Sequence, residues 1–159
     1  MDVMDEALLE FWDSLNQNNV KYIMVGGLAT RFHGFNRSTD DLDMWIEDTL
    51  PNRKNLRSAF KELGYGDYAS IETMQFVPGW TSFYAAGIVL DIMTEMKGLE
   101  NISFTECYQL AVIHNLNNIP VPFLHINHLI ANKKAVNRPK DQVDVIYLEK
   151  IKALLEKQQ

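Results

Sequence analysis

The stretch from residue 20 to residue 47 restricts this chain more than any other. An apolar, strand-like run, VKYIMV (20–25), stops at Gly26-Gly27; LATRFHG then reads as a short helix closed by Gly34, and DLDMWIE (41–47) as a second strand. Thirteen residues separate Gly27 from Asp41, enough for the helix and a return into the same sheet. Side chains alternate along a strand, so Leu42, Met44 and Ile46 fall on one face and Asp41, Asp43 and Trp45 on the other. A fold that buries the first face therefore sets two carboxylates side by side on the second.

The other segments complete one domain. With 159 residues, 47% apolar and 23% charged, the chain is an ordinary globular sequence able to bury about two thirds of its unfolded surface. Leu8, Phe11, Trp12 and Leu15 recur at helical spacing within residues 5–18, and Pro51 opens a helix carrying Leu56, Phe60 and Leu63 that stops at Gly64. TMQFV (73–77) is expected as a strand, followed by TSFYAA and IVLDIMT with Gly87 between them. LAVIHNL, Asn117-Asn118 and IPVPFL predict a hairpin whose second arm, carrying Pro120 and Pro122, belongs at a sheet edge. Helices follow over 126–136 and, after a break at Asn137-Arg138-Pro139, to about residue 155. This order predicts an α+β (α/β-like) fold: a mixed sheet with helices packed against it and a C-terminal helical pair. It forms a single domain over 1–159, with a core about 20–95 and the hairpin and final helices about 105–156.

Burying Asp41 beside Asp43 is costly unless a cation lies between them. Hard Mg²⁺ or Mn²⁺ prefers carboxylate oxygens and keeps positions open for phosphate oxygens. The plainer alternative is an edge strand whose polar face meets water. Asp91 is the only charge in IVLDIM, and a carboxylate in such a run needs a partner. Beside the 41–47 strand it would complete a three-acid cluster; as a strand-end acid it would be capped by a backbone amide instead. Gly26-Gly27 permits close backbone approach, and amides at a helix start attract phosphate, although any tight strand-to-helix turn uses the same residues.

On the helix 126–136, Lys133 shares the face of Ile126, Leu129 and Ile130, and on the next helix Asp144 extends a stripe of Leu148, Ile151 and Leu155. A lysine and an aspartate thus point inward together, either as a structural ion pair or with Lys133 on nucleotide phosphates and Asp144 orienting it. Arg138 and Lys140 are more exposed candidates. Trp45, Trp80, Phe83 and Tyr84 are available for stacking on a base or for the core. His125 and His128 lack a third metal ligand, His33 and His114 read as packing or hydrogen-bonding residues, and Cys107 as a small core residue.

Taken together, VGGLATRFHGFNRSTDDLDMWI and the later VLDIM resemble the nucleotidyltransferase superfamily that includes DNA polymerase β. Arg37 and Thr39 before the DLD, IPVPFLHINHLI before a lysine, and the closing KKAVNRPKDQVD are similar to its compact bacterial branch of the abortive-infection toxin type. The resemblance spans residues 20 to about 148. It implies Asp41 and Asp43 as ligands of Mg²⁺ on the triphosphate, and Asp91 as a further ligand and as base on the acceptor hydroxyl. It also implies Gly26 and Gly27 on the β- and γ-phosphates, with Arg37, Thr39, Lys133 and Asp144 completing the nucleotide site. The substrate implied is an NTP. The acceptor implied is a hydroxyl on tRNA, a protein or an antibiotic-like small molecule.

The net charge of −6 and pI near 5.1 argue against broad autonomous binding to nucleic acid, although bases concentrate over residues 132–140. No apolar run approaches the ~20 residues of a membrane-spanning helix. MDVMDEALLE carries acids where an export leader would carry Lys or Arg, and a single cysteine excludes an intramolecular disulfide, so a cytoplasmic setting is expected. Two readings stay open beside an enzyme: a nucleotide-binding module or toxin–antitoxin partner without turnover, and a structural domain with a solvated acidic patch. An acceptor site shared with a second copy or a partner protein is also expected, since only two helices follow the sheet.

Overall fold

Residues with positive φ set the turns that order this chain. The computed structural model describes residues 1–159. Its elements are α1 (Glu6–Gln17), β1 (Tyr22–Val25), α2 (Gly26–Phe32), β2 (Leu42–Ile46), α3 (Leu50–Glu62), β3 (Ser82–Ala85), β4 (Ile88–Met93), α4 (Phe104–Leu110), β5 (Val112–Leu116), β6 (Ile119–Phe123), α5 (Ile126–Val136) and α6 (Pro139–Lys157). The two hairpins turn at Ala86-Gly87 (φ 54° and 75°) and Asn117-Asn118 (φ 51° and 66°), the left-handed pairs that match strand twist. Asp5, Thr49 and Ser103 cap α1, α3 and α4 by accepting from amides in the first turn.

The six strands form one mixed sheet, ordered β3-β4-β2-β1-β6-β5. β1 runs antiparallel to β2, and β2 parallel to β4, with Leu42 facing Leu90 and Asp43 facing Asp91. Leu42, Met44 and Ile46 are fully buried, as the alternation in 41–47 requires. α2 packs on β1, β2 and α5, and α5 on α6, which brings the C-terminal helical pair to the end of β1 and β2.

Several expectations need correction. Residues 73–77 form no strand. Ala69–Glu72 is a single 3-10 turn, and the Arg53 guanidinium donates to the carbonyls of Ile71 (3.1 Å) and Met74 (2.6 Å) while lying over the Phe76 ring. The segment's backbone and aromatic groups are thus engaged by a side chain rather than by a neighbouring strand. β6 is interior, not an edge, despite Pro120 and Pro122. The Leu124 amide donates to Met24 O (3.0 Å), and alternate residues aim their amides the same way, so both prolines lack donors only on the β1 side. There the pairing is confined to Met24 and Phe123. α4 was not anticipated, although Ser103 and Glu106 stand at capping-box spacing. Helix α2 begins at Gly26 itself, and Leu155 of the expected stripe is 48% exposed while Leu148 is buried.

Asn52, buried in α3, clamps two segments. It accepts from the Lys21 amide (2.8 Å) and donates to the carbonyls of Lys21 (3.0 Å) and Glu47 (2.8 Å). Asn52→Ala leaves these backbone groups unpaired and should destabilise the fold by about 3 kcal/mol in urea unfolding, since each buried unpaired polar group costs roughly 1–3 kcal/mol. A loss below 0.5 kcal/mol would show that water replaces the clamp.

Candidate functional site

Strand register builds the site. Val25 pairs with Asp43, Asp43 with Asp91, and Asp91 with Ser82, so one row crosses β1, β2, β4 and β3 on a single face. Asp41 stands exposed two residues before Asp43. A cleft of about 820 Å³ opens over the row, and its walls include Gly26, Gly27, Arg37, Thr39, Lys133 and all three aspartates.

The two glycines are required by close approach. Gly26 has φ +66°, and a Cβ there would collide with the Asp43 carboxylate; one on Gly27 would lie 2.7 Å from Thr39 Oγ1 and 3.1 Å from Arg37 Nη2. Thr39 itself is turned to the Asp41 carbonyl (3.3 Å).

A basic wall faces the acids, held by two carboxylates on α6. Asp144, 1% exposed, accepts from Lys133 Nζ (2.7 Å) and from Arg37 Nη2 (2.9 Å); Arg37 Nε lies 2.8 Å away as an ion-pair contact, without the alignment of a hydrogen bond. Asp141, also 1% exposed, takes Arg138 through two nitrogens (2.7 and 3.2 Å) and stands 3.6 Å from Lys133. Lys133 is therefore ion-paired and yet borders the cleft, as do Arg138 and Lys140, whereas Asp144 sits behind the bases. Sequence reasoning missed Asp141. Its signal was present: it is the third residue of α6 and bonds back to the Arg138 amide (3.0 Å), the capping-box position.

Burial first, then the carboxylates of Asp91 and Asp41, push the Asp43 pKa up to about 6, against the pull of Lys133 and Lys140. Asp91 is raised by burial and by Asp41, and is partly held down by the Gly79 amide that donates to its Oδ2 (2.9 Å). Its Oδ1 is buried without a partner. Asp91 is thus capped by a backbone amide and stands in register with Asp43 on the neighbouring strand. An all-oxygen donor set, an orphaned buried oxygen and a carboxyl raised for want of a counter-charge fit a hard divalent cation. No three His, Cys, Asp or Glu side chains converge tightly enough to hold an ion by themselves.

The other candidates fall outside this cleft. Trp45 is buried, donating to the Thr94 carbonyl (3.1 Å). His33 Nε2 lies 2.7 Å from Leu124 O, His114 packs on Phe32, and Cys107 is fully buried. Trp80 and Tyr84 are 85% and 71% exposed. No helix is long and apolar enough to cross a membrane.

No family profile and no curated protein matches the sequence. Solved structures match the fold. A candidate nucleotidyltransferase from Thermotoga maritima is 15% identical, with a TM-score of 0.57 over 94% of this chain and 91% of that one. An antigenic nucleotidyltransferase-like protein from Paracoccidioides brasiliensis is 15% identical, with a TM-score of 0.56 over 91% and 74%. The antibiotic-resistance factor ANT(2″)-Ia is 17% identical, with a TM-score of 0.57 over 97% and 90%. The chain has the nucleotidyltransferase fold that its Gly-Gly and Asp-Leu-Asp segments led us to expect.

An acid whose pKa is higher folded than unfolded loses folded-state stability as pH rises from its ordinary 3.8 to about 6, and the loss persists above that. In metal-free protein, Asp43→Asn should therefore raise stability at pH 7.5 by up to roughly 3 kcal/mol. The gain should fade by pH 4, where the wild-type carboxyl carries its proton. Identical melting temperatures for the two proteins at pH 7.5 would show that Asp43 is not strained.

Proposed function

We propose that this chain transfers a nucleoside monophosphate from an NTP to a hydroxyl-bearing acceptor, releasing pyrophosphate. The observation that carries the reading is the pairing of Asp43 with Asp91 on adjacent strands, opposite the bases of α5, α6 and the segment after α2. Phosphoryl transfer needs that opposition: positive charge to hold the triphosphate, and carboxylates where the acceptor loses its proton. One structure of the same fold contains adenylyl-2″-tobramycin, a product of the kind proposed.

Arg37, Lys133, Arg138 and Lys140 bind the phosphates, and Gly26-Gly27 let them approach the backbone. Asp144 and Asp141 keep three of those bases extended into the cleft. Asp41 and Asp43, with Asp91, would hold Mg²⁺ or Mn²⁺, completed by phosphate oxygens; when bound, the ion neutralises charge at the reacting phosphate. The acceptor oxygen bonds to the α-phosphorus, the bond to the bridging oxygen breaks, and pyrophosphate leaves with that electron pair. The acceptor's proton passes to Asp91. Its raised pKa makes it a better base than a free carboxylate, and the Gly79 amide leaves Oδ1 available. A binding module would share everything but turnover.

Incubation with each α-labelled NTP, Mg²⁺ and a panel of acceptors, total tRNA included, tests the reading. Asp41→Asn and Asp43→Asn should each lower transfer at least a thousandfold while remaining folded; wild-type rates in either would remove the metal role. Mg²⁺-NTP at ~100 times its dissociation constant should stabilise the wild type by roughly 2.7 kcal/mol. Lys133→Met should weaken NTP binding at least tenfold, whereas Lys134→Met, which breaks only an exposed pair with Glu149, should change it less than twofold. Equal effects would show that Lys133 serves only the ion pair.

A further inference from the structure

The outer strand of a sheet presents a row of unpaired backbone groups, and β3 is the outer strand on one side of this one. A two-residue turn at Ala86-Gly87 joins β3 to β4, and such a turn sets its flanking pair, Ala85 and Ile88, in mutual hydrogen bonding. Alternation makes Phe83 and Leu90 the next bonded pair, so the amides and carbonyls of Ser82 and Tyr84 point away from β4. No loop or side chain bonds the backbone of either residue. At the hairpin end the edge is closed, because the Ala86 amide donates to Tyr65 Oη (3.1 Å).

Proteins blunt their sheet edges with charge, proline or bulges. The segment Gly79–Gly87 holds no charge and no proline, and β3 pairs with β4 without a bulge. Beside it lies a cavity of about 470 Å³, walled by Phe60, Tyr65, Tyr68 and Phe83 and lined by no charged residue. Phe83 stands edge-on to Phe60 (5.4 Å) and to Tyr68 (5.6 Å) on the core face of the sheet. Ser82 and Tyr84 take the opposite face, beside Asp91 and Val89. Tyr84 and Trp80 are exposed. The edge therefore offers ladder bonds, uncovered aromatic surface and nothing that repels an uncharged strand.

We propose that β3 pairs with β3 of a second copy of this chain, antiparallel about a two-fold axis at Phe83. In this register the strand is its own complement. Ser82 faces Tyr84 of the second copy, Tyr84 faces its Ser82, and the free amides and carbonyls of both residues are all used. Phe83 meets its counterpart as a non-bonded pair, with Cα atoms about 4.5 Å apart, on the face where the cavity opens. A foreign strand would have to bring an uncharged aromatic segment, and this chain already carries one. Charge does not oppose the approach: the only charges between α3 and β3, Asp67 and Glu72, are both paired with Arg57. In the dimer the row of Asp43, Asp91 and Ser82 continues into Tyr84 of the second copy, so each cleft is bordered by a residue from the other chain. The pairing stands whether or not the cleft transfers nucleotides.

Sedimentation velocity from micromolar to millimolar protein, with amide hydrogen exchange at both ends of the range, tests the pairing. The wild type should pass from monomer to dimer. Exchange at Ser82 and Tyr84 should slow at least tenfold on association, whereas Phe83 and Ala85, bonded to β4, should be slow throughout. Tyr84→Pro removes an amide that β4 does not use and should weaken association at least tenfold. Tyr84→Val, which keeps the amide and suits a strand, should weaken it less than threefold. A thermal melt of dilute protein verifies that each variant folds; where Tyr84→Pro does not, the exchange pattern of the wild type decides. A monomer at every concentration, a dimer whose Ser82 and Tyr84 amides stay unprotected, or equal weakening by the two variants overturns the proposal.

Discussion

Two carboxylates on neighbouring strands, Asp43 and Asp91, face each other in register in a half-buried row. Burial and like charge so placed work against the fold: burial first, then Asp91 and Asp41, raise the pKa of Asp43, and burial, then Asp41, raise that of Asp91. The surroundings make the strain tolerable in identifiable ways: a glycine backbone gives Asp43 room, a turn amide bonds Asp91, and lysines across the cleft offset part of the charge. None of these cancels it. A site that keeps unresolved negative charge while remaining folded is prepared for a cationic ligand.

The opposing wall obeys the same logic with signs reversed. Arg37, Lys133 and Arg138 would repel one another if left alone. Asp144 and Asp141, both nearly inaccessible, sit behind them and fix their directions. A buried ion pair contributes little net stability once desolvation is counted, but it fixes orientation well. The cleft is thus bipolar by construction, with acids on one wall and bases on the other.

Much of this was legible because it is local. The strand, Gly-Gly turn, helix and Asp-Leu-Asp strand fall within 28 residues, 20–47, and their periodicity suffices to place Asp41 and Asp43 on one face. Lys133 and Asp144 were visible as inward residues of adjoining helices, though sequence could not decide between pairing and phosphate binding. What stayed hidden depends on distant partners. TMQFV has strand-forming residues, but Arg53 claims its carbonyls. The prolines of β6 are tolerated because one side of that strand is nearly unpaired, a fact of the neighbour rather than of the segment. The β3 cavity joins rings from α3, the loop after it and β3, which no periodicity links.

The contact between Arg37 and Asp144 spans 107 residues of chain. A growing polypeptide that has completed β1, β2 and β4 already holds its three aspartates, yet has none of the bases from α5 and α6. Loop closure over such a span is entropically late, and contacts of high sequence separation form slowly. On the ribosome the protein therefore passes through a stage in which the three aspartates of the cleft face Arg37 alone among the bases that Asp144 and Asp141 later fix. The carboxylates that fix Arg37 and Lys133 in place, Asp144 and Asp141, arrive only with the last helix.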